Sequence, residues 1–183
     1  MGKSWLREWC AVSDFPDLKL TGYQRHDGRW GFRNHVLIFP MHSALCSIAR
    51  NIADSFSDTT VVTISHDWSG EVDKDWKRIS KALSGFAANP NSYAVIFLTL
   101  GNDVEDGLIK DALAIGVENH VVHSLKSLGS MQKLMEQAKS SAAKYLEESK
   151  KLSRVAAPWS AIQLGLECGG SDALSGITAN PAL

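Results

Sequence analysis

Short apolar runs alternate along this chain with longer stretches in which apolar residues recur at every third or fourth position. The apolar runs predict strands over residues 35–40, 60–64, 93–100, 120–122 and 161–166. The helical spacing predicts helices over residues 42–56, 72–86, 104–115 and 128–155. Strands that alternate with helices are typical of an α/β fold, in which helices cover both faces of a mostly parallel sheet. We therefore expect a three-layer α/β/α architecture with a Rossmann-like sheet of about five strands.

One strand is expected at the centre of that sheet. Residues 93–100 form an almost continuous apolar run, as in a strand that is buried on both faces. The chain has 183 residues, of which 44% are hydrophobic, and this is enough for one full core. We expect a single α/β domain over residues 21–183, preceded by an N-terminal extension over residues 1–20.

Polar residues that follow the predicted strands should converge, because ligands of such sheets bind at the carboxyl ends of the strands. These residues are His42, Ser43, Ser65, His66, Asp67, Asn102, Asp103, Glu105, His123, Ser124, Cys168, Ser171 and Asp172. Structural roles explain some of them equally well. His42 is also typical of a solvated helix start, and Asp67 and Asp103 are also typical of a helix N-terminus.

The segment 168–172 is the most distinctive of these groups. It has the sequence Cys-Gly-Gly-Ser-Asp and follows the last predicted strand. Gly169 and Gly170 lack a Cβ, so a ligand can approach their backbone N–H groups closely, and the flanking residues supply a thiol, a hydroxyl and a carboxylate. This combination predicts a site for a small anion.

A second segment, residues 22–34 (GYQRHDGRWGFRN), holds Arg25, Arg29 and Arg33 at every fourth position. Guanidinium groups bind carboxylates in a bidentate manner, so the segment is suited to an acidic substrate. The same arginines are equally suited to pairing with a local aspartate and holding the segment against the edge of the sheet. The sequence leaves both interpretations open.

Composition excludes several classes of function. A formal net charge of −1 argues against a general nucleic-acid-binding surface. The longest apolar runs are far shorter than the ~20 residues that cross a membrane, and residues 1–10 lack the apolar core of a signal peptide. Three widely spaced cysteines do not suggest a disulfide framework. We expect a cytoplasmic protein that has neither nucleic acid nor a membrane as a partner.

Both segments resemble signatures of the altronate and galactarate dehydratases, a family of sugar-acid hydro-lyases. The resemblance implies removal of water from an aldonate or aldarate, which gives a 2-keto-3-deoxy acid. It also implies a divalent metal such as iron or manganese, which stabilises the enediolate formed by proton abstraction. The implied ligand is a small-molecule sugar acid.

Topology and resemblance together define the expected site. The expected catalytic residues are His66, Cys168 and Asp172, and the expected metal ligands are Cys168 and His66. The expected substrate-binding residues are Arg25, Arg29, Arg33, Asn34, Gly169, Gly170 and Ser171. We expect His66 and the 168–172 segment to line one pocket.

The chain departs from the family pattern at its thiols. Ala44 stands where family members carry a cysteine after the first strand, Asn102 replaces the cysteine after the third strand, and residues 67–71 contain none. Because soft thiolates favour iron, these losses argue against the family's usual metal site. Two interpretations remain open: a domain of a sugar-acid dehydratase, or a divergent non-catalytic relative that binds a small acid or a partner chain.

The resemblance covers nearly the whole chain but only part of a full family member. Family members continue beyond the 168–172 motif into a further domain, and many carry a small domain ahead of the 22–34 signature. We therefore expect the isolated chain to be inactive, and to act within a homo-oligomer or with a missing C-terminal domain.

Overall fold

The structure, a computed structural model, describes residues 19–165, 167 and 173–182. The strands in this part of the chain are β1 (Thr21–Gln24), β2 (Trp30–Gly31), β3 (His35–Pro40), β4 (Val61–Thr63), β5 (Ser92–Thr99), β6 (Asn119–Ser124) and β7 (Val155–Ala156). The helices are α1 (Cys46–Ala53), α2 (Trp76–Ala87), α3 (Asp103–Ile115), α4 (Leu125–Leu128), α5 (Met131–Lys150) and α6 (Ala179–Ala182). Short 3-10 turns occupy Ser43–Leu45 and Trp159–Ala161.

The central sheet is parallel and confirms the predicted α/β fold. Its strands lie in the order β4-β3-β5-β6, and every pair of neighbours is parallel. β5 lies between β3 and β6, and residues 94–98 are at most 2% exposed. The prediction that residues 93–100 form a central strand is therefore confirmed.

Side chains alternate between the two faces of this sheet and form two separate cores. Val36 and Ile38 of β3 pack with α1 and α5, where Leu134 is fully buried. Leu37 and Phe39 of the same strand pack with α2 and α3. Because the period of a strand is two residues, one continuous apolar strand supplies both cores and helices cover both faces.

The prediction of a strand over residues 161–166 is wrong. Residues 161–165 form no strand, and Leu166 lies outside the described residues. Leu164 is 76% exposed, and the described strands offer this segment no ladder partner. The parallel sheet therefore has four strands in the described part of the chain, because apolar alternation alone cannot provide the neighbour that a strand requires.

The boundaries of three helices differ from the predicted ones. The predicted helix over residues 128–155 is divided at Gly129, whose φ of 71° interrupts the helix, and Ser130 caps the start of α5. The predicted helix over residues 72–86 begins only at Trp76, and Val72 is 60% exposed. The helix predicted over residues 42–56 begins as a 3-10 turn and ends at Ala53.

A small antiparallel sheet with the strand order β2-β1-β7 lies beside the main fold and was not predicted. Arg154 holds it together, because its guanidinium donates to the backbone carbonyls of Thr21 and Phe32. The hairpin that contains β1 and β2 is the arginine-rich 22–34 segment. None of the described helices is both long enough and apolar enough to cross a membrane.

Candidate functional site

The strand order places a topological switch point between β3 and β5. The helix that follows β3 packs on one face of the sheet, and the helix that follows β5 packs on the other. The two connections diverge at the carboxyl ends of these strands and leave a crevice between them, which is where open α/β sheets bind ligands. His42 follows β3 and Asn102 follows β5, so both lie at this end of the sheet.

His66 reaches this end of the sheet from the loop after β4. Its Nε2 lies 2.8 Å from the backbone oxygen of Pro40, the last residue of β3. A carbonyl oxygen only accepts hydrogen bonds, so Nε2 carries the ring proton and Nδ1 keeps its lone pair. Nδ1 is buried and has no partner among the described residues. The imidazole is therefore fixed in orientation and leaves one acceptor unused.

In His42 the ring nitrogen that remains free is a donor, whereas in His66 it is an acceptor. Its Nδ1 accepts from the backbone N–H of Ala44 at 3.0 Å and caps the 3-10 turn that follows β3. Because Nδ1 accepts, the proton of the neutral ring lies on Nε2. The loops after β3 and β4 are joined here, since the N–H of Ser43 donates to the carbonyl of Trp68 at 2.8 Å.

Cys46 brings a thiol to the same corner. It is the first residue of α1, it is half-buried, and its Sγ lies 3.5 Å from the backbone oxygen of His66. Sequence reasoning did not select Cys46, because a cysteine on the apolar side of a helix is usually an inert packing residue. Its position in the first turn of the helix that follows β3 was the signal that pointed to the site.

The turn from β5 to α3 is built around a fully buried carboxylate. Oε2 of Glu105 accepts from the N–H groups of Leu100 at 2.9 Å and Gly101 at 3.0 Å, whereas Oε1 has no partner in the described part of the chain. Asn102 caps the helix by accepting from the N–H of Glu105 at 3.0 Å. The hydroxyl of Thr99, which is 1% exposed, is also unpartnered among the described residues.

An open cavity of about 470 Å³ adjoins His66. Its floor is the apolar side of α2, including Leu83 and Phe86, and its rim carries the carboxylates of Asp67, Glu71 and Asp73. Trp68 is 8% exposed and forms one wall, and its ring stacks on Trp76 at a centroid distance of 5.0 Å. Carboxylates at such a rim can accept hydrogen bonds from the hydroxyl groups of a ligand.

Arg25 lies at the opposite end of the sheet and is used in structural contacts. Its Nε donates to the carbonyl of Pro90 at 2.8 Å, and its Nη2 donates to Oδ1 of Asn34 at 3.1 Å. Burial lowers the pKa of its guanidinium from the ordinary value. A Cβ at Gly31 would lie 2.1 Å from the oxygen of Pro90, so only glycine permits the hairpin to approach this closely.

Arg29 makes similar contacts near the amino ends of β5 and β6. It pairs with Asp27 and donates to the carbonyls of Ala88 at 2.7 Å and Gly116 at 3.1 Å. The hydrogen bond from the backbone N–H of Arg29 is the main cause that lowers the pKa of Asp27. These contacts agree with the structural interpretation of the segment, in which an arginine pairs with a local aspartate and holds the hairpin against the sheet.

The remaining predicted residues fall into two groups. Asn34 is buried and donates to the carbonyl of Ser149 at 3.0 Å, whereas Arg33 is exposed, also near the amino ends of the strands. The structure does not bring Arg25, Arg29, Arg33 and Asn34 to His66. The second group lies outside the described residues and comprises Cys168, Gly169, Gly170, Ser171 and Asp172. Their expected convergence with His66 therefore stays a prediction.

The described residues do not form a metal centre by themselves. No cluster of three or more His, Cys, Asp or Glu side chains within them is arranged to hold a metal ion. Among the described residues at this end of the sheet, His66 has the features of a ligand, because Nε2 donates to a backbone carbonyl and Nδ1 has no partner.

Comparison with known proteins identifies the family. Residues 22–150 match the family described as D-galactarate dehydratase/Altronate hydrolase, second domain, and residues 159–183 match D-galactarate/Altronate dehydratase, C-terminal. The altronate dehydratase of Bacillus subtilis is 31% identical over 88% of this chain and 34% of its own length. The altronate dehydratase of Escherichia coli is 27% identical over 97% of this chain and 39% of its own length.

A third relative is the galactarate dehydratase (L-threo-forming) of Escherichia coli, 40% identical over 40% of this chain and 14% of its own length. The chain thus spans well under half the length of these curated relatives. No solved structure gives a significant match to it. Because one family match covers residues 22–150, the chain belongs to the D-galactarate dehydratase/altronate hydrolase family.

Proposed function

We propose that this chain is a domain of a sugar-acid dehydratase that removes water from an aldonate or aldarate and gives a 2-keto-3-deoxy acid. Family membership supports the reaction class, and the names of the relatives support altronate or galactarate as substrate. The single observation that carries the proposal is His66, whose buried Nδ1 is an unused acceptor at the carboxyl ends of the strands.

In the proposed reaction His66 acts as the base. Its Nδ1 accepts the proton from the carbon next to the substrate carboxylate, and the electron pair of the broken C–H bond forms an enediolate. The hydroxyl group of the neighbouring carbon leaves and takes up a proton from solvent, to which protonated His66 returns its own, so one water is released. The resulting enol then becomes the 2-keto acid. The hydrogen bond to Pro40 keeps the ring in the tautomer that this step requires.

Substrate hydroxyl groups would be held at the rim of the adjoining cavity. Asp67, Glu71 and Asp73 supply acceptors for such hydroxyl groups, and the apolar side of α2 supports the carbon chain. An acidic rim repels the substrate carboxylate, which must therefore be bound elsewhere. In this proposal the 168–172 segment binds it, through the N–H groups of Gly169 and Gly170 and the hydroxyl of Ser171.

Arg25, Arg29, Arg33 and Asn34 remain the other predicted substrate ligands. Of these, Arg33 has an exposed side chain, whereas Arg25 and Arg29 donate to backbone carbonyls. A role for Arg33 in binding acid would require that a homo-oligomer or a further domain bring this end of the sheet to a site. That assembly is part of the proposal.

A divalent metal, iron or manganese, stays a prediction from the family resemblance. The described residues do not fit it, since at the carboxyl ends of the strands they offer His66 without two further ligands beside it, and Cys168 would have to supply another. Nδ1 of His66 has one lone pair, so it cannot hold a metal and accept a proton in the same state. No step of the proposed reaction is therefore assigned to a metal.

A second candidate function is that of a non-catalytic relative that binds a small acid or a partner chain. The observation that favours it is that Ala44 and Asn102 stand where the family pattern has cysteines. The first candidate predicts binding and turnover of a sugar acid, whereas the acid-binding form of the second predicts binding without turnover.

The two candidates are separated by one assay. The 183-residue chain is incubated with galactarate or altronate and manganese or ferrous iron, alone and together with the separately produced C-terminal part of the altronate dehydratase of Bacillus subtilis. We expect no 2-keto product from the chain alone and product from the mixture. Binding of the acid without product in the mixture would favour a non-catalytic relative that binds a small acid. Absence of binding would overturn both the dehydratase and the acid-binding relative and would leave only a relative that binds a partner chain.

A further inference from the structure

We propose that His42 is the hydrogen-bond donor of this site and binds an oxygen of the acid through its Nε2–H. The inference rests on the proposed function for the class of ligand, a sugar acid. It assigns to His42 a role that is complementary to that of His66. One imidazole would donate to the ligand while the other accepts from it.

Whether the free nitrogen of each ring donates or accepts follows from the backbone group that the other nitrogen contacts. Nδ1 of His42 accepts from the N–H of Ala44 at 3.0 Å, which leaves the proton on Nε2. Nε2 of His66 donates to the carbonyl of Pro40 at 2.8 Å, which leaves the lone pair on Nδ1. Each partner is a backbone group that can act in only one sense. The two tautomers are therefore set by the chain itself, before any ligand binds.

Backbone contacts hold the two rings at one corner of the sheet. His66 is hydrogen-bonded to Pro40, which lies two residues before His42. The N–H of Ser43 donates to the carbonyl of Trp68 at 2.8 Å, and Sγ of Cys46 lies 3.5 Å from the carbonyl of His66. These contacts connect the loop after β3 with the loop after β4 on both sides of His42. The corner lies beside the switch point between β3 and β5.

The second ring nitrogen of His42 has no partner in the described part of the chain. Nε2 makes no hydrogen bond to any described residue, and the ring is half-exposed. Gly70 lies beside this nitrogen, since a Cβ added there would be 3.6 Å from it, an ordinary van der Waals distance. His42 is thus held at one ring nitrogen and has an unpaired donor at the other, as His66 has an unpaired acceptor at its buried Nδ1.

A free acceptor on one ring and a free donor on the other suit the abstraction of a proton from the carbon next to a carboxylate. When the base removes that proton, negative charge accumulates on the carboxylate oxygens of the enediolate. A neutral imidazole N–H that already points at the ligand stabilises this charge, because no reorganisation is required when it forms. The simpler account of His42 is that of a helix-capping residue. In that case its Nε2–H has no role.

The tautomers can be read directly. Long-range ¹H–¹⁵N correlation spectra of the imidazole groups in the 183-residue chain distinguish a protonated ring nitrogen from an unprotonated one. We expect Nε2 to carry the proton in both His42 and His66, with Nδ1 unprotonated. A proton on Nδ1 of His42 would overturn the inference, irrespective of any enzymatic activity.

Two substitutions separate capping from donation. His42→Asn keeps an oxygen in reach of the N–H of Ala44 but removes the Nε2–H, whereas His42→Gln places an amide N–H near the position of Nε2 and loses the cap. We expect His42→Asn to keep the melting temperature and to weaken calorimetric binding of galactarate about tenfold or more, which corresponds to ~1.4 kcal/mol. We expect His42→Gln to lower the melting temperature and to bind galactarate more tightly than His42→Asn.

The outcomes distinguish this inference from the function on which it rests. Equal affinity of His42→Asn and the unsubstituted chain for galactarate would overturn the role of His42 and leave the proposed function intact. If the unsubstituted chain binds neither galactarate nor altronate, the proposed function fails, and the inference fails with it. Retention of binding in His42→Gln but not in His42→Asn would support donation specifically.

Discussion

The two ends of the central sheet differ in how completely their polar groups are paired. At the amino ends of the strands, Arg25, Arg29 and Asn34 donate to backbone carbonyls or to neighbouring side chains. At the carboxyl ends lie His66 and the turn from β5 to α3, where three buried polar atoms have no partner among the described residues. These atoms are Nδ1 of His66, Oγ1 of Thr99 and Oε1 of Glu105.

This difference in hydrogen bonding distinguishes the two ends of the sheet more clearly than residue type does. A buried polar group without a partner costs about 1–3 kcal/mol, so a fold keeps it only where something offsets the cost. The arginine-rich hairpin has the more distinctive sequence pattern, yet its contacts are structural. The histidine loop has a plainer sequence but leaves its acceptor unused.

The largest effect is expected from His66→Gln in the assembled enzyme. A glutamine amide can still donate to the carbonyl of Pro40 but has no basic nitrogen in place of Nδ1. We expect turnover of galactarate or altronate to fall by roughly 10²–10⁴-fold, as for loss of a general base. The melting temperature of the chain should change little. A variant that retains full turnover would remove His66 from the reaction.

A large effect on stability is expected at the other end of the sheet, from Arg25→Ala. This change leaves the carbonyl of Pro90 and the Oδ1 of Asn34 without their donor. We expect the free energy of unfolding to fall by about 2 kcal/mol, measured by urea denaturation. Arg33→Ala is the matched control, because its side chain is exposed, and its effect should stay within about 0.5 kcal/mol. Equal effects of the two changes would contradict the structural interpretation.

A smaller effect is expected from Thr99→Val, which should stabilise the fold rather than destabilise it. The hydroxyl of Thr99 is buried without a partner in the described part of the chain, so an isosteric methyl group should raise the free energy of unfolding by about 1 kcal/mol. Ser149→Ala provides the comparison, because that buried hydroxyl donates to the carbonyl of Leu146 at 2.8 Å. Its loss should lower stability by about 1 kcal/mol. If Thr99→Val destabilises the chain as much as Ser149→Ala does, the hydroxyl of Thr99 has a hydrogen-bond partner in solution, and the expectation is wrong.

The smallest effect concerns acid stability at the hairpin. Hydrogen bonds from Arg29 lower the pKa of Asp27 below its usual value of 3.8. The stabilisation by ionised Asp27 is therefore present above pH 3.8 and is lost as the pH falls through the lower pKa of the folded state. In Asp27→Asn, the urea midpoint should vary less between pH 7 and pH 2.5 than in the unsubstituted chain. An unchanged pH dependence would contradict this coupling.

The sequence predicted the parallel sheet well, because β3 and β5 are apolar on both faces and the helices between them repeat at 3.6 residues. It did not predict the small sheet. β2 and β7 have two residues each, and β1 pairs with β7 across more than 130 positions of the chain. The strand predicted at residues 161–166 failed for the opposite reason, since its apolar alternation has no partner strand in the described part of the chain.

The candidate site was predicted in part. Topology placed His42 and His66 at the carboxyl ends of the strands, but the sequence could not show which ring nitrogen of either residue remains free. That depends on the carbonyl of Pro40 and the N–H of Ala44, which are backbone groups positioned by the fold. The arginines were selected for their charge, and their contacts with carbonyls could be seen only in three dimensions.

The most direct test of the account is chemical-shift mapping of the ¹⁵N-labelled 183-residue chain as galactarate is added. We expect backbone amide shifts to change in residues 41–46 and 65–70, at the carboxyl ends of β3 and β4, while residues 22–34 remain unaffected. Changes confined to residues 22–34 would contradict it and would make the arginine-rich hairpin the acid-binding site.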